Sequence, residues 1–420
     1  MRIIWVINGP VGKLGDLLGI NSLSGGWIES TLEVLSGVDN IEVFVVTMWP
    51  VEEKKGIVER NITYTILPGP FPSKTNPNRK KIQKSWKAFI DEIRPDLIHI
   101  HGTEYLHGLA LMLACPDEKF VISIQGLKGV IGRYYYAGMS CHEILSNITL
   151  YDVFSGNSLI RNRKKFLKHG LNEREYLTRA KNVIGRTTWD YVHSGNLCKN
   201  VRYFSCNRDL RSVFYRTNWS LEKAKKHSLF LSQSNYLIKG LHIVLKAICL
   251  LKDEYRDIKV IVAGTDLLSS RQPCGKWMLS GYAKYIRRII VTNSLQNHVH
   301  FTGVLNDVKM AEYYRDSHIF ICPSSIENNS NSLGEAQLIG IPCISSFVGG
   351  LPEITKNGEA GLLYRFEEYE MLAHYIRFIF DNDDYAITLS NREKRIARQR
   401  HDRKVNMNNL LKIYEDILAR

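Results

Sequence analysis

The feature that most limits how this chain can fold is an alternation running from end to end. Short, nearly unbroken apolar runs rich in β-branched residues are each followed by a helical pattern. In the first half the runs are IIWVI (3–7), EVFVVT (42–47), DLIHIHG (96–102) and FVISIQG (120–126), with weaker ones near 62–67 and 201–205. In the second half they are LFLSQ (229–233), IKVIVAG (258–264), VHFTG (299–303), HIFICPS (318–324) and PCISS (342–346). Strands that are apolar at consecutive positions are those covered on both faces, as parallel strands are by their crossover helices. The stretches between supply the helices: Leu241, Val244, Leu245, Ile248 and Leu251 recur at helical spacing and form one stripe. Alternating βα units of this kind imply a doubly wound α/β fold.

With 420 residues the chain is too long for one ordinary core, so two domains are expected. The βα series breaks between about 206 and 228, where NRDLRSVFYRTNWSLEKAKKHS is polar, basic and without strand character. The expected organisation is two Rossmann-like domains facing across a cleft. Residues 1–215 are expected to form the N-terminal domain and residues 216–390 the C-terminal domain. Residues 391–420 are a helical segment returning to the N-terminal domain, with Leu410, Ile413, Tyr414, Ile417 and Leu418 on one stripe.

The chain carries 56 basic against 42 acidic residues, a net charge of +14 that suits anionic partners: nucleotide phosphates, lipid headgroups or nucleic acid. The sequence contains no recognised nucleic-acid module, so nucleic acid is not an expected partner. The eight cysteines show no C-x-x-C pair and no clustered Cys/His spacing, and several sit inside apolar runs, such as Cys249 and Cys322. They read as reduced core residues, not as a disulfide frame or a metal site. The start, MRIIWVINGP, has five apolar residues before Asn-Gly-Pro and reads as a first strand, not as a signal peptide. No apolar stretch approaches the roughly 18 residues a spanning helix needs. The expected location is cytoplasmic, touching the inner face of an anionic membrane from one side.

The stretch IENNSNSLGE (326–335) joins the strand HIFICPS to the helical run AQLIGIP. In open α/β sheets ligands bind beyond the carboxyl ends of strands, where helix N-termini present amides. Ser332 is the expected N-cap, so that the N–H groups of Leu333 and Gly334 would meet a phosphate and Gly334 would keep side-chain bulk away. Ser332-x-x-Glu335 also reads as a capping box, worth about 1 kcal/mol to any helix. The residues alone leave both readings open.

The longer segment PSSIENNSNSLGEAQLIGIPCISSFVGGLPEI (323–354) resembles the donor-site motif of the retaining glycosyltransferases of family 4, which have the GT-B fold. The matching parts are Pro323-Ser324, Glu327, Glu335-Ala336, Gly340-Ile341-Pro342 and Gly349-Gly350-Leu351-Pro352-Glu353; the upstream FTGVLNDVKMAEYYRDSHIFICPS is similar as well. The resemblance implies that Glu327 binds hydroxyls of the transferred sugar, that Glu335 binds the ribose hydroxyls, and that the helix N-terminus holds the diphosphate. An ionised carboxylate suits a vicinal diol because it accepts two charge-assisted hydrogen bonds. No metal and no cofactor are implied, the nucleotide-diphosphate sugar being a substrate. The family's Arg-x4-Lys-Gly clamp corresponds to Lys239-Gly240, but its Arg position is Ser234 (Gln233 if the loop is shifted by one), so the clamp lacks its second cation there. In the N-terminal half the loop NGPVGKLGDLLGINSLSGGW ends in Gly25-Gly26, which in the family lets backbone approach the donor phosphate and the acceptor. FVISIQGLKG carries Gln125-Gly126 where most members have His-Gly; glutamine hydrogen-bonds at the reacting centre but holds no proton charge.

RYYYAGM (133–139) and IRNRKKFLK (160–168) are expected to form a face toward a lipid-linked acceptor. GRTTWD (185–190) and NRDLRSVFY (207–215) look like segments recurrent in bacterial surface-polysaccharide members. The expected function is therefore transfer of a sugar, with retention, from a nucleotide-diphosphate sugar to a hydroxyl of a glycan or glycolipid. The alternatives are a nucleotide-sugar epimerase or a phosphorylase on the same fold, and a basic non-enzymatic binding protein.

Overall fold

The structure is a computed structural model that describes residues 1–20, 25–233, 235–268 and 279–420. Contacts divide the chain into two compact units. The first comprises Met1–Val130, Lys168–Arg211 and His401–Arg420; the second comprises Ile131–Leu167 and Ser212–Arg400.

The first unit is built on eight strands: β1 (Arg2–Val6), β2 (Glu42–Trp49), β3 (Lys55–Glu59), β4 (Ile62–Pro68), β5 (Leu97–His101), β6 (Phe120–Ser123), β7 (Asn182–Gly185) and β8 (Arg202–Ser205). Their order is β3-β4-β2-β1-β5-β6-β7-β8, parallel throughout except for the antiparallel edge strand β3. At the centre Ile4 lies opposite Phe44 on one side and Ile98 on the other. Apolar clusters cover the sheet on both faces, which explains why β1 and β5 read as continuous apolar runs. The final helix, Arg403–Leu418, buries Leu410, Ile413, Tyr414 and Ile417 in one of these clusters. Trp5 Nε1 donates to the Tyr414 hydroxyl at 3.0 Å, and that hydroxyl meets His99 Nδ1 at 2.6 Å. Burial, then the charge of Arg208, pushes His99 down to about 3, so it is a neutral core histidine.

Among the described residues the second unit has six parallel strands: β9 (Lys225–Leu231), β10 (Lys259–Ala263), β11 (Val299–Gly303), β12 (Ser317–Cys322), β13 (Cys343–Ser346) and β14 (Leu362–Tyr364). Their order is β11-β10-β9-β12-β13-β14. The chain runs outward from β9 to β11 and then returns to the other side of β9 at β12. The order therefore reverses between β9 and β12, which makes their carboxyl ends the topological switch point. In the first unit the corresponding reversal lies between β1 and β5.

Three strands carry no sequence signal. β3 (KGIVE) is exposed at every position, and β7 and β14 are short, with four and three residues. Residues 131–167, assigned from sequence to the N-terminal half, are grouped by contacts with 212–400. The reason lies in long-range bonds: Gly281 N donates to Asp152, Tyr285 Oη to Glu143, and Ser325 Oγ to Tyr134 O. Local pattern encodes such short helices but not the sheet they dock on.

Candidate functional site

Two loops meet at the switch point of the second unit. After β9 the chain passes through a single turn of 3-10 helix, Leu237–Lys239, and then Gly240 opens the helix Leu241–Leu251. After β12 it runs through 323–330 into the helix Asn331–Ile339. Ser325 N donates to Ile238 O at 2.8 Å, so the loops are joined backbone to backbone. Gly240 has φ +73°, and a Cβ there would sit 1.7 Å from Pro323 O. Only glycine allows this approach. On the far side Gly349, at φ +54°, would place a Cβ 1.8 Å from Glu327 O, and Gly350 N donates to that oxygen at 3.0 Å. Ser346 Oγ, at the end of β13, donates to Ser324 O at 2.5 Å. The motif glycines therefore act as spacers that press three loops around Glu327.

The consequence is a largely buried ion pair between Lys239 Nζ and Glu327 Oε1, with Ser324 Oγ donating to the same carboxylate oxygen at 3.2 Å. Burial lowers the Lys239 pKa, but the charge of Glu327 and its hydrogen bond outweigh burial, and the net shift is upward. The ammonium is thus kept charged at physiological pH. Removing one partner of such a pair leaves an uncompensated buried charge, at about 3–5 kcal/mol.

The helix that follows starts earlier than expected. Its N-cap is Ser330, in extended conformation, with Oγ accepting from Leu333 N at 3.3 Å, and Gly334 N donates to Ser330 O at 3.1 Å. The expected Ser332 cap, the Ser332-x-x-Glu335 box and the outward-facing amides of Leu333 and Gly334 are therefore corrected. Ser330 wins because its hydroxyl also meets the buried Cys322 thiol at the end of β12 (3.7 Å), whereas Ser332 Oγ turns to Ser330 Oγ at 3.0 Å. The first-turn amides presented by this start belong to Asn331 and Ser332. Glu335 lies one turn into the helix and is buried. Ser234 falls outside the described residues.

Gly25, Gly26 and Gln125 belong to the first unit. Gly25, at φ +87°, caps the helix Gly26–Leu35. Gln125, just beyond β6, donates from Nε2 to His101 O at 3.0 Å. Gly25 and Gln125 line one cavity of about 490 Å³, together with Trp27, Trp49, Phe71 and Tyr105. The same cavity holds a pair that sequence reading missed: Asn8, after β1, donates to Glu104, after β5, at 2.9 Å. Burial raises the Glu104 pKa, and its bonds and the cations Lys128 and Arg208 only partly offset this. Its place at the carboxyl end of a central strand was the one signal that could have found it.

Comparison with known proteins bears on both units. Residues 214–400 match the family model "Glycosyl transferases group 1". The chain carries a glycosyl transferases group 1 domain. That domain takes in all six strands β9–β14 and with them Lys239, Glu327 and Glu335. Spore coat protein SA of Bacillus subtilis (strain 168) is 25% identical over 193 residues, 46% of this chain and 49% of that protein. The chain thus spans about half the length of that curated relative. Among solved structures, sucrose-phosphate synthase from Thermosynechococcus elongatus superposes with a TM-score of 0.72 at 16% identity, over 100% of this chain and 99% of that one. Anabaena HepE, solved with UDP and glucose, gives 0.66 at 14% identity, over 99% and 100%. At these identities the likeness shows the fold, which is GT-B.

Proposed function

We propose that this protein transfers a sugar, with retention, from a nucleotide-diphosphate sugar to a hydroxyl of a glycan or lipid-linked glycan, in cell-surface polysaccharide synthesis at the cytoplasmic face of a membrane. The observation that carries the reading is the largely buried Lys239–Glu327 pair at the switch point of the segment that matches the glycosyl transferases group 1 model. A cation and a carboxylate set side by side there match the two ends of such a donor: phosphate oxygens for the ammonium, sugar hydroxyls for the carboxylate.

In the proposed mechanism Lys239 turns from Glu327 to the leaving diphosphate, whose charge grows as the glycosidic bond breaks. The first-turn amides of Asn331 and Ser332 add the positive end of their helix dipole. Glu327, freed of its lysine, accepts from hydroxyls of the transferred sugar, and Glu335 from the ribose. In the first unit Gln125 offers a neutral N–H donor to the acceptor, and Gly25 and Gly26 allow it a close backbone approach. Neutralisation by Lys239 and the helix end makes the reaction metal-independent and cofactor-independent in this reading. UDP, seen bound to HepE, is the first nucleotide to test.

The test is a thermal-shift screen against UDP-, GDP- and ADP-sugars. A ligand at a hundred times its dissociation constant stabilises a fold by about 2.7 kcal/mol. One nucleotide class should raise the melting temperature of the parent and leave Lys239→Met unmoved. If no class raises it, or if Lys239→Met responds as the parent does, the donor reading is wrong. Retention is checked by the anomeric configuration of the new glycosidic bond, read by NMR and compared with that of the donor.

A further inference from the structure

Two short helices of the second unit, Cys141–Ser146 and Leu150–Ser155, turn much of their apolar surface outward. Polar groups are buried beneath them: Asp152 is 3% exposed, and Asn147, the residue after the first helix, 1%. Their apolar residues face outward: Phe154 is 85% exposed and Leu150 72%, and Leu145 and Val153 are exposed beside them. The polar face is fixed by specific bonds. Both helices begin with a capping box, Ser140 with Glu143 and Thr149 with Asp152. Asp152 also accepts from Gly281 N at 3.0 Å, and Glu143 from Tyr285 Oη at 2.5 Å. This outward presentation of apolar side chains is therefore held by specific polar contacts and is not a frayed segment.

Cations surround the apolar ridge. Lys284 Nζ donates to Ser146 O at 3.0 Å, Lys165 Nζ reaches Gly156 O at 3.2 Å, and Arg161 lies beside Gly156. Glu143 and Asp152 are the only carboxylates between 131 and 167, and both are consumed by the bonds above. No helix among the described residues is long and apolar enough to cross a membrane.

We propose that this ridge docks the protein on an anionic lipid bilayer, with Leu145, Leu150, Val153 and Phe154 entering the acyl boundary and Arg161, Lys165 and Lys284 meeting the headgroups. Exposed apolar side chains ringed by cations and stripped of exposed acids complement an anionic surface on both counts. A protein partner fits less well, because a stable interface needs roughly 800 Å² per side and these few side chains fall short of it. The proposal deepens the membrane element of the function proposed above and rests on none of its sugar chemistry.

The experiment is co-sedimentation of the full chain with vesicles of phosphatidylcholine alone and of phosphatidylcholine mixed with phosphatidylglycerol. The parent should pellet with the mixed vesicles only, and less at high salt. Leu150→Ser combined with Phe154→Ser should weaken partitioning by about tenfold or more per residue. Both positions are exposed, so the melting temperature should not change, and any donor-induced thermal shift should persist in the same preparation. That last readout separates failure of docking from failure of the sugar-transfer reading. The proposal is overturned if the parent ignores anionic vesicles or if the double variant pellets as the parent does. It is also overturned if the parent elutes as a dimer that the double variant converts to monomer, since the ridge would then cover a second copy.

Discussion

The two switch points of this molecule solve different problems with the same topology. In the second unit the loops after β9 and β12 are clamped together by glycine contacts and carry opposite charges, Lys239 and Glu327, in direct contact. In the first unit the loops after β1 and β5 are joined by Asn8 and Glu104, a neutral amide on a carboxyl whose pKa is raised by burial. They border an aromatic-lined cavity of about 490 Å³. One site is tight and charged, as the proposed diphosphate sugar would require. The other is roomy and lined by ring faces, which suits the apolar faces of a larger acceptor. The comparison teaches that a parallel sheet supplies a position for a ligand, while the loop residues decide which ligand fits.

The comparison breaks most decisively at Lys239. Lys239→Met should lower stability by about 3–5 kcal/mol by stranding Glu327, and cut kcat/KM by about 10²–10³ through the lost cation. Adding Glu327→Gln should restore much of the stability and none of the activity, measured by chemical denaturation and turnover. If the double variant regains activity, the pair is structural only.

Gly349→Ala comes next. A left-handed residue costs about 1–2 kcal/mol, and the approach to Glu327 O adds to that, so both the melting temperature and the donor response should fall. At the first unit's cavity the effects should be smaller and of another kind. Phe71→Ala, which removes a ring packed edge-on against Trp49, should raise KM for the acceptor about three- to tenfold and leave the donor shift intact. An equal loss of donor response would mean that the two sites are not distinct.

The smallest effect sharpens the contrast through pH. Glu104 has a raised pKa when folded, so the native state holds its proton more tightly than the unfolded chain. Stability should therefore fall as pH rises from the ordinary carboxylate range through the folded value, at no more than about 1.4 kcal/mol per pH unit for one proton. Glu104→Gln should remove one proton's share of that slope in denaturation curves collected across the window, leaving the share of Asp209, Glu173 and Glu393, which burial raises to about 6, 7 and 8. A slope unchanged from the parent would place the titration elsewhere.

Much of this was legible in the chain itself. Runs such as IIWVI and IKVIVAG announced buried parallel strands because burial on both faces leaves no room for alternation. The stretch from Pro323 to Ile354 and the pair Lys239-Gly240 marked the loops of the second switch point, since backbone approach and charge at a strand end need particular residues at particular spacings. The helix cap at Ser330 was not legible. Two serines two positions apart are equally good caps locally, and the choice rested on a thiol delivered by β12. Nor was the Asn8–Glu104 bond, whose partners are 96 residues apart and share no motif.

The amino-acid sequence by itself determined what is set by near neighbours: the α/β class, the parallel character of the strands, and the residue types at the loops of the second switch point. Tertiary structure alone decided what depends on contacts distant in the chain. These are the sheet on which 131–167 docks, the outward turn of Phe154, the ion pair of Lys239 with Glu327, and the neutral state of His99. The physical reason is that periodicity and capping act over a turn or two, whereas desolvation and charge pairing act on whatever the folded chain brings within a few ångströms.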